Sequence, residues 1–147
     1  MEPGFAKNIA HALHEGQRDR SGGLIVDHVE RVAGSVPEEA QAVALLHDVL
    51  ERTDIPLADL EGSGLSQVEL GALRLLTRRP GESFEAHTLR IAHANGPDGR
   101  LARIVKLADI DDHVAHDREP FSTKPYGWAR RHISVSLGRA APAHSVA

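Results

Sequence analysis

Apolar residues recur at intervals of three and four along almost the whole chain, and alternating β-branched runs are nearly absent. That spacing gives each segment one apolar stripe and predicts an all-α array of about six to eight helices rather than a sheet. The first helix spans residues 5–16, with Phe5, Ile9, Ala12 and Leu13 on its inner face. A polar loop punctuated by glycines over 16–23 leads to a second helix over 24–33, carrying Ile25, Val29 and Val32. Pro37 opens a third, with Glu38 and Glu39 at its positive end, that runs through Ala42, Leu45, Leu46 and Val49.

A loop over 53–64 contains one short helical turn after Pro56. Ser66 and Glu69 then form a capping box for a helix reaching Thr77, which Arg78-Arg79-Pro80-Gly81 ends. A helix over 82–94, a break at Asn95-Gly96-Pro97, a long apolar helix over 100–116 and a last helix over 126–137 complete the array. The reading is one domain over 1–138, followed by a flexible tail over 139–147.

At 147 residues the chain has the length of one ordinary domain, enough to bury about two thirds of its unfolded surface. It has no cysteine, which excludes disulfides, thiolate nucleophiles and iron-sulfur clusters and leaves any metal to nitrogen and oxygen donors. A formal charge of −4 and a pI near 6.2 create no field that draws the chain to a nucleic acid polymer or an anionic membrane. Three Phe, one Tyr and one Trp make no base-stacking platform. A small-molecule partner is therefore expected. There is no run of roughly 20 apolar residues and no basic segment followed by an apolar one at the N-terminus, so a cytoplasmic protein is expected.

The chain holds ten histidines, and their positions carry more than their number. His47-Asp48 interrupts the apolar run of Val43, Ala44, Leu45 and Leu46 before Val49, where an imidazole and a carboxylate are costly to bury without partners. Asp109 ends the equally apolar stretch from Ile104 to Ala108 and poses the same problem in a second helix. A divalent cation between the two helices answers both. With His28, these residues make a mixed set of two imidazoles and two carboxylates suited to manganese, iron, cobalt or zinc. Each also has a plainer reading: a core histidine for His28, a buried polar pair for His47-Asp48, and an ion pair with Arg103 or Lys106 for Asp109. Lys106, one turn before Asp109, and Arg20, in the loop before His28, are placed to neutralise phosphate. His14 reads as a structural histidine at the end of the first helix.

The ordered set His28, Ala44-Leu45-Leu46-His47-Asp48 and Lys106-Leu107-Ala108-Asp109 resembles the H…HD…D signature of HD-domain phosphohydrolases. Within that superfamily the chain is most similar to the hydrolase domain of RelA/SpoT-type alarmone enzymes and to stand-alone small alarmone hydrolases. The similarity extends through Ala12 to Gln17, Ser21-Gly22, Arg31-Val32-Ala33, Ala44 to Thr53 and Leu76-Thr77-Arg78. His28 as a ligand rests mainly on this resemblance.

The resemblance implies an HD-domain-like helical fold, one manganese ion, and removal of pyrophosphate from the 3′ position of (p)ppGpp. It implies that Glu51, three residues after Asp48 and so on the same helical face, helps to activate the attacking water. Arg52 stands where the family has the second acid of that pair, and would bind phosphate or pair with Glu51 and weaken it as a base. In the loop before the second helix, Asp19 and Arg20 occupy the place of a basic pair, and Ser21 is retained. His113 replaces an asparagine four residues after Asp109, on the same face, and is expected to contact phosphate. The expected partner is a small phosphorylated nucleotide, with homo-oligomerisation left open. The alternative function is a catalytically degenerate HD-domain module that binds a nucleotide or metal without turnover.

Overall fold

The computed structural model describes residues 1–117 and 124–138. Among them are nine helices and no strand: α1 (Pro3–Leu13), α2 (Ile25–Gly34), α3 (Glu38–Leu46), α4 (Val49–Arg52), α5 (Leu57–Glu61), α6 (Gln67–Leu76), α7 (Phe84–Ala92), α8 (Gly96–His116) and α9 (Tyr126–Ser136). The expected tail, 139–147, lies outside the described residues.

The helix count exceeds the expected six to eight because the third predicted helix divides at the His47-Asp48 pair. The His47 Nδ1–H donates to the Ala44 carbonyl at 2.5 Å, competing for the oxygen that a continued helix would offer to the Asp48 amide. The four-residue α4 follows. At the other discrepancy, α8 begins at Gly96 rather than Arg100. Gly96 turns the chain with φ +81°, and Pro97 sits in the first turn, where its missing N–H is no loss. The expected capping box is present in both directions, Glu69 N–H to Ser66 Oγ and Ser66 N–H to Glu69 Oε1.

The core is built around α3, whose Ala40 and Ala42 to Leu46 are all buried. Helices α1, α2, α6 and α8 pack on it. The inner face of α1 differs from the expected one: Ala6 and Ala10 are fully buried while Phe5 is 53% exposed. Small residues there let α1 approach the alanine-rich α3 closely. The 21-residue α8 also reaches a second apolar cluster, in which Leu107 and Ile110 meet Phe84 and Ala92 of α7 and Ala129 and Ile133 of α9. At its centre α8 therefore faces α2 and α3, where burial of polar groups is most demanding.

Candidate metal centre

Three elements supply the polar groups that this apolar surrounding encloses. His28 lies on the buried face of α2 with Ile25, Val29 and Val32. His47 and Asp48 occupy the junction of α3 and α4, and Asp109 lies on the buried face of α8 with Val105 and Ile110. The structure brings all four together. His28 Nε2 lies 3.0 Å from Asp109 Oδ1 and 3.6 Å from Asp48 Oδ2. His47 Nε2 lies 3.2 Å from the same Asp109 oxygen and 3.6 Å from Asp48 Oδ1. Their side chains are 5% exposed for the histidines, 7% for Asp109 and 13% for Asp48.

The outer nitrogens explain why the inner ones face carboxylates. His28 Nδ1–H donates to Asp112 Oδ2 at 2.7 Å, and Arg31 holds that carboxylate with two bonds of 2.8 and 3.1 Å. His47 Nδ1–H donates to the Ala44 carbonyl. With Nδ1 carrying the proton, the neutral ring turns a lone pair inward from Nε2. Two such lone pairs then face carboxylate oxygens. Buried His28 Nε2 has no hydrogen-bond partner. Lone pairs crowded on lone pairs in a buried site call for a cation, so the residues present fit a divalent ion. Their candidate ligand atoms, taken as His28, His47 and Asp48 or as His28, Asp109 and His113, lie within 4.8 Å of one another.

Without an ion, protons serve as the cations. Burial alone would lower the His47 pKa, but Asp48 and Asp109 overcome it and raise it to about 9. Burial would raise the Asp109 carboxyl, yet Lys106 and the three histidines hold it well below the usual carboxylate range. Asp48 is likewise lowered, against burial, chiefly by His47. These are the shifts of a charge-coupled site rather than of a surface ion pair.

The remaining predicted residues are placed unevenly. Lys106 Nζ is 3.1 Å from Asp109 Oδ2, with a side chain only 13% exposed, so one plainer reading of Asp109 holds alongside the cluster. Arg103 instead donates to the Ile91 and Ala94 carbonyls at the end of α7. His113 joins the cluster, its Nε2 3.2 Å from Asp109 Oδ1. Arg52 pairs with Asp48 Oδ2 at 3.7 Å, not with Glu51. Glu51 Oε1 instead accepts the Arg78 backbone N–H, which ties α4 to the loop after α6. Arg20 is exposed and Ser21 half-buried in the loop between α1 and α2. In that loop Asp19 is occupied, accepting the Gly23 N–H at 2.9 Å. His14 is fully buried, with Nδ1 2.8 Å from Gln17 Oε1, and the Gln17 amide donates to the Arg52 carbonyl at 3.0 Å.

Sequence reading alone missed Asp112, although positions 28 and 31 on one helix and 109 and 112 on another share the three-residue spacing of one face. It also missed part of the basic rim. The Lys124 ammonium is shifted down by desolvation first and then by Arg78 and Lys106, which places three cations in one neighbourhood beside Asp109.

No protein-family model matches the chain, and no curated protein matches it. Among solved structures, a metazoan ortholog of SpoT, described as hydrolyzing ppGpp and acting in starvation responses, superposes with a TM-score of 0.67. The match covers 92% of this chain and 85% of that one at 22% identity. The chain has an all-α, HD-domain-like fold. At that level the expectation from the His28, His47-Asp48 and Asp109 pattern is met. Among the described residues, no helix is long and apolar enough to cross a membrane.

Proposed function

We propose that the chain is a metal-dependent phosphohydrolase or pyrophosphohydrolase acting on a phosphorylated nucleotide, with the 3′-pyrophosphate of (p)ppGpp as the leading candidate. The observation that carries this reading is the pair of inward Nε2 atoms of His28 and His47, turned on the carboxylates of Asp48 and Asp109. These four residues hold the ion, manganese being the metal that the family resemblance favours. Such an ion, when bound, supplies Lewis-acid polarisation of water and of the phosphoryl group.

The chain's own residues do the rest. Lys106, with Arg78 and Lys124 near it, stabilises charge that spreads over phosphate oxygens. Arg52, 39% exposed beside Asp48, offers a guanidinium to a second phosphate. Glu51 accepts a proton from the attacking water through the oxygen that the Arg78 amide leaves open. Arg20 and Ser21 are assigned to the nucleotide at the loop before α2. The solved relative's reported action on ppGpp supports this substrate class.

The test is a hydrolysis screen over nucleotides and alarmones with manganese, cobalt, iron and zinc, comparing wild type with Asp109→Ala. Release of phosphate or pyrophosphate by wild type alone is expected. A metal-loaded wild type that cleaves none of them overturns the reading. The Arg52–Asp48 pair favours a second reading, a module that binds without turnover, because it sets a cation where the resembling family keeps an acid. Activity gained by Arg52→Asp would support that alternative.

A further inference from the structure

The three imidazoles around Asp109 are arranged alike. Each has Nδ1 held on its outer side by an oxygen: Asp112 Oδ2 for His28 at 2.7 Å, the Ala44 carbonyl for His47 at 2.5 Å, and Asp117 Oδ1 for His113 at 3.2 Å. Each turns Nε2 on one and the same oxygen, Asp109 Oδ1, at 3.0, 3.2 and 3.2 Å. An outer acceptor on Nδ1 fixes the tautomer that leaves Nε2 free, which is how proteins present histidine to a metal. A helix histidine making one chance ion pair has no need of both halves of that arrangement.

Local structure supports the placement. His113 follows Asp109 by four residues on α8, so the two side chains share a face. Its ring lies 4.7 Å from that of His28, and Tyr126 lies parallel to it at 5.9 Å with 5° between planes, which restrains the ring orientation. The ligand atoms of His28, Asp109 and His113, like those of His28, His47 and Asp48, lie within 4.8 Å of one another.

We infer that His113 is a fifth protein ligand to the ion, making a set of three imidazole nitrogens and two carboxylates. This rests on the metal site proposed above. It reassigns His113 from the phosphate to the metal, and the third nitrogen donor biases the site toward cobalt, zinc or iron over manganese.

The test uses the full chain stripped with a chelator, and its histidine-to-asparagine variant at this position, His113→Asn. In nitrogen NMR of the imidazoles, zinc is expected to displace three Nε2 resonances in wild type and two in the variant. Co²⁺ affinity is expected to fall at least about tenfold in His113→Asn, the loss already typical of outer partners of ligating histidines, and Mn²⁺ affinity by less. Only two displaced resonances in wild type, or unchanged Co²⁺ affinity in the variant, overturns the assignment. A wild type that takes up neither Co²⁺ nor Mn²⁺ overturns it together with the metal site. A wild type that binds through three imidazoles yet cleaves no phosphoester leaves the assignment standing and removes only the hydrolase reading.

Discussion

His28 Nδ1 is bonded to Asp112 Oδ2 at 2.7 Å, although the two residues stand 84 positions apart in the chain. Asp112 is in turn gripped by Arg31, one turn from His28 on α2. The carboxylate thus fixes both the ring orientation and the proton position of a candidate ligand from the side opposite its Nε2. Asp112→Asn is expected to weaken metal binding by about 10- to 100-fold while leaving the helical content intact. Chelator competition with parallel circular dichroism checks this; an unchanged metal affinity would show that Asp112 only fastens α8 to α2.

Glu51 has two separable parts, an oxygen that takes the Arg78 amide and a charge that the proposed chemistry uses. Glu51→Gln keeps an acceptor and removes the charge, whereas Glu51→Ala removes both. The glutamine variant is expected to lose about 10²- to 10⁴-fold in kcat with Tm nearly unchanged. The alanine variant should lose activity and also stability. Equal activity in wild type and Glu51→Gln would exclude the carboxylate as a base.

The guanidinium of Arg52 lies against Asp48 at 3.7 Å and is 39% exposed, so its contribution to stability is small. Its effect is expected in kinetics. Arg52→Ala should lower kcat/KM by about 10- to 100-fold, a cost of roughly 1.4 to 2.7 kcal/mol in transition-state stabilisation. Steady-state rates on the substrate that the screen identifies provide the measurement, and a rate increase in Arg52→Ala would show that the arginine obstructs the site.

His87, which is not one of the candidate ligands, sets an acid limit on stability. It is 1% exposed and lies among Arg90, Glu82, Lys106 and Arg78; burial first, then the Lys106 and Arg90 charges, lower its pKa to about 4. Arg90 donates to its Nδ1 at 3.1 Å, which requires the neutral ring. The unfolded chain therefore binds a proton that the folded one refuses between pH 6.5 and about 4, so stability falls as pH drops through that window. The shift corresponds to roughly 3 kcal/mol at its limit. Glu82, lowered to about 2 chiefly by its bond to Arg90, adds a loss that begins below about 4.5 and runs the same way. Urea melts of wild type and His87→Gln from pH 7 to 4 should show a shallower decline in the variant; parallel declines would rule His87 out as the cause.

What the sequence made legible was local. The Ser66–Glu69 capping box depends on residues three apart and appears as expected. His47-Asp48 and Asp109 stood out because each breaks an apolar stripe, and their meeting follows from burying both stripes. The partnership of Asp112 with Arg31 did not stand out, since it depends on the register between α2 and α8, which no spacing within either helix encodes. The same holds for Glu51, whose acceptor role spans 27 residues. Phe5 misled because apolar character alone does not reveal that α1 docks through Ala6 and Ala10.

The contact of His47 with Asp109 spans 62 residues and that of His28 with Asp112 spans 84. No fragment ending before α8 contains the whole candidate site, so the full set of candidate ligands forms only where the first and last thirds of the chain have met. If the site binds metal as proposed, metal concentration favours completed topology: by mass action it adds most stability to the chain that presents all the candidate ligands, and less to one that presents only His28, His47 and Asp48. On that reading, the residues proposed for the chemistry also couple metal supply to folding.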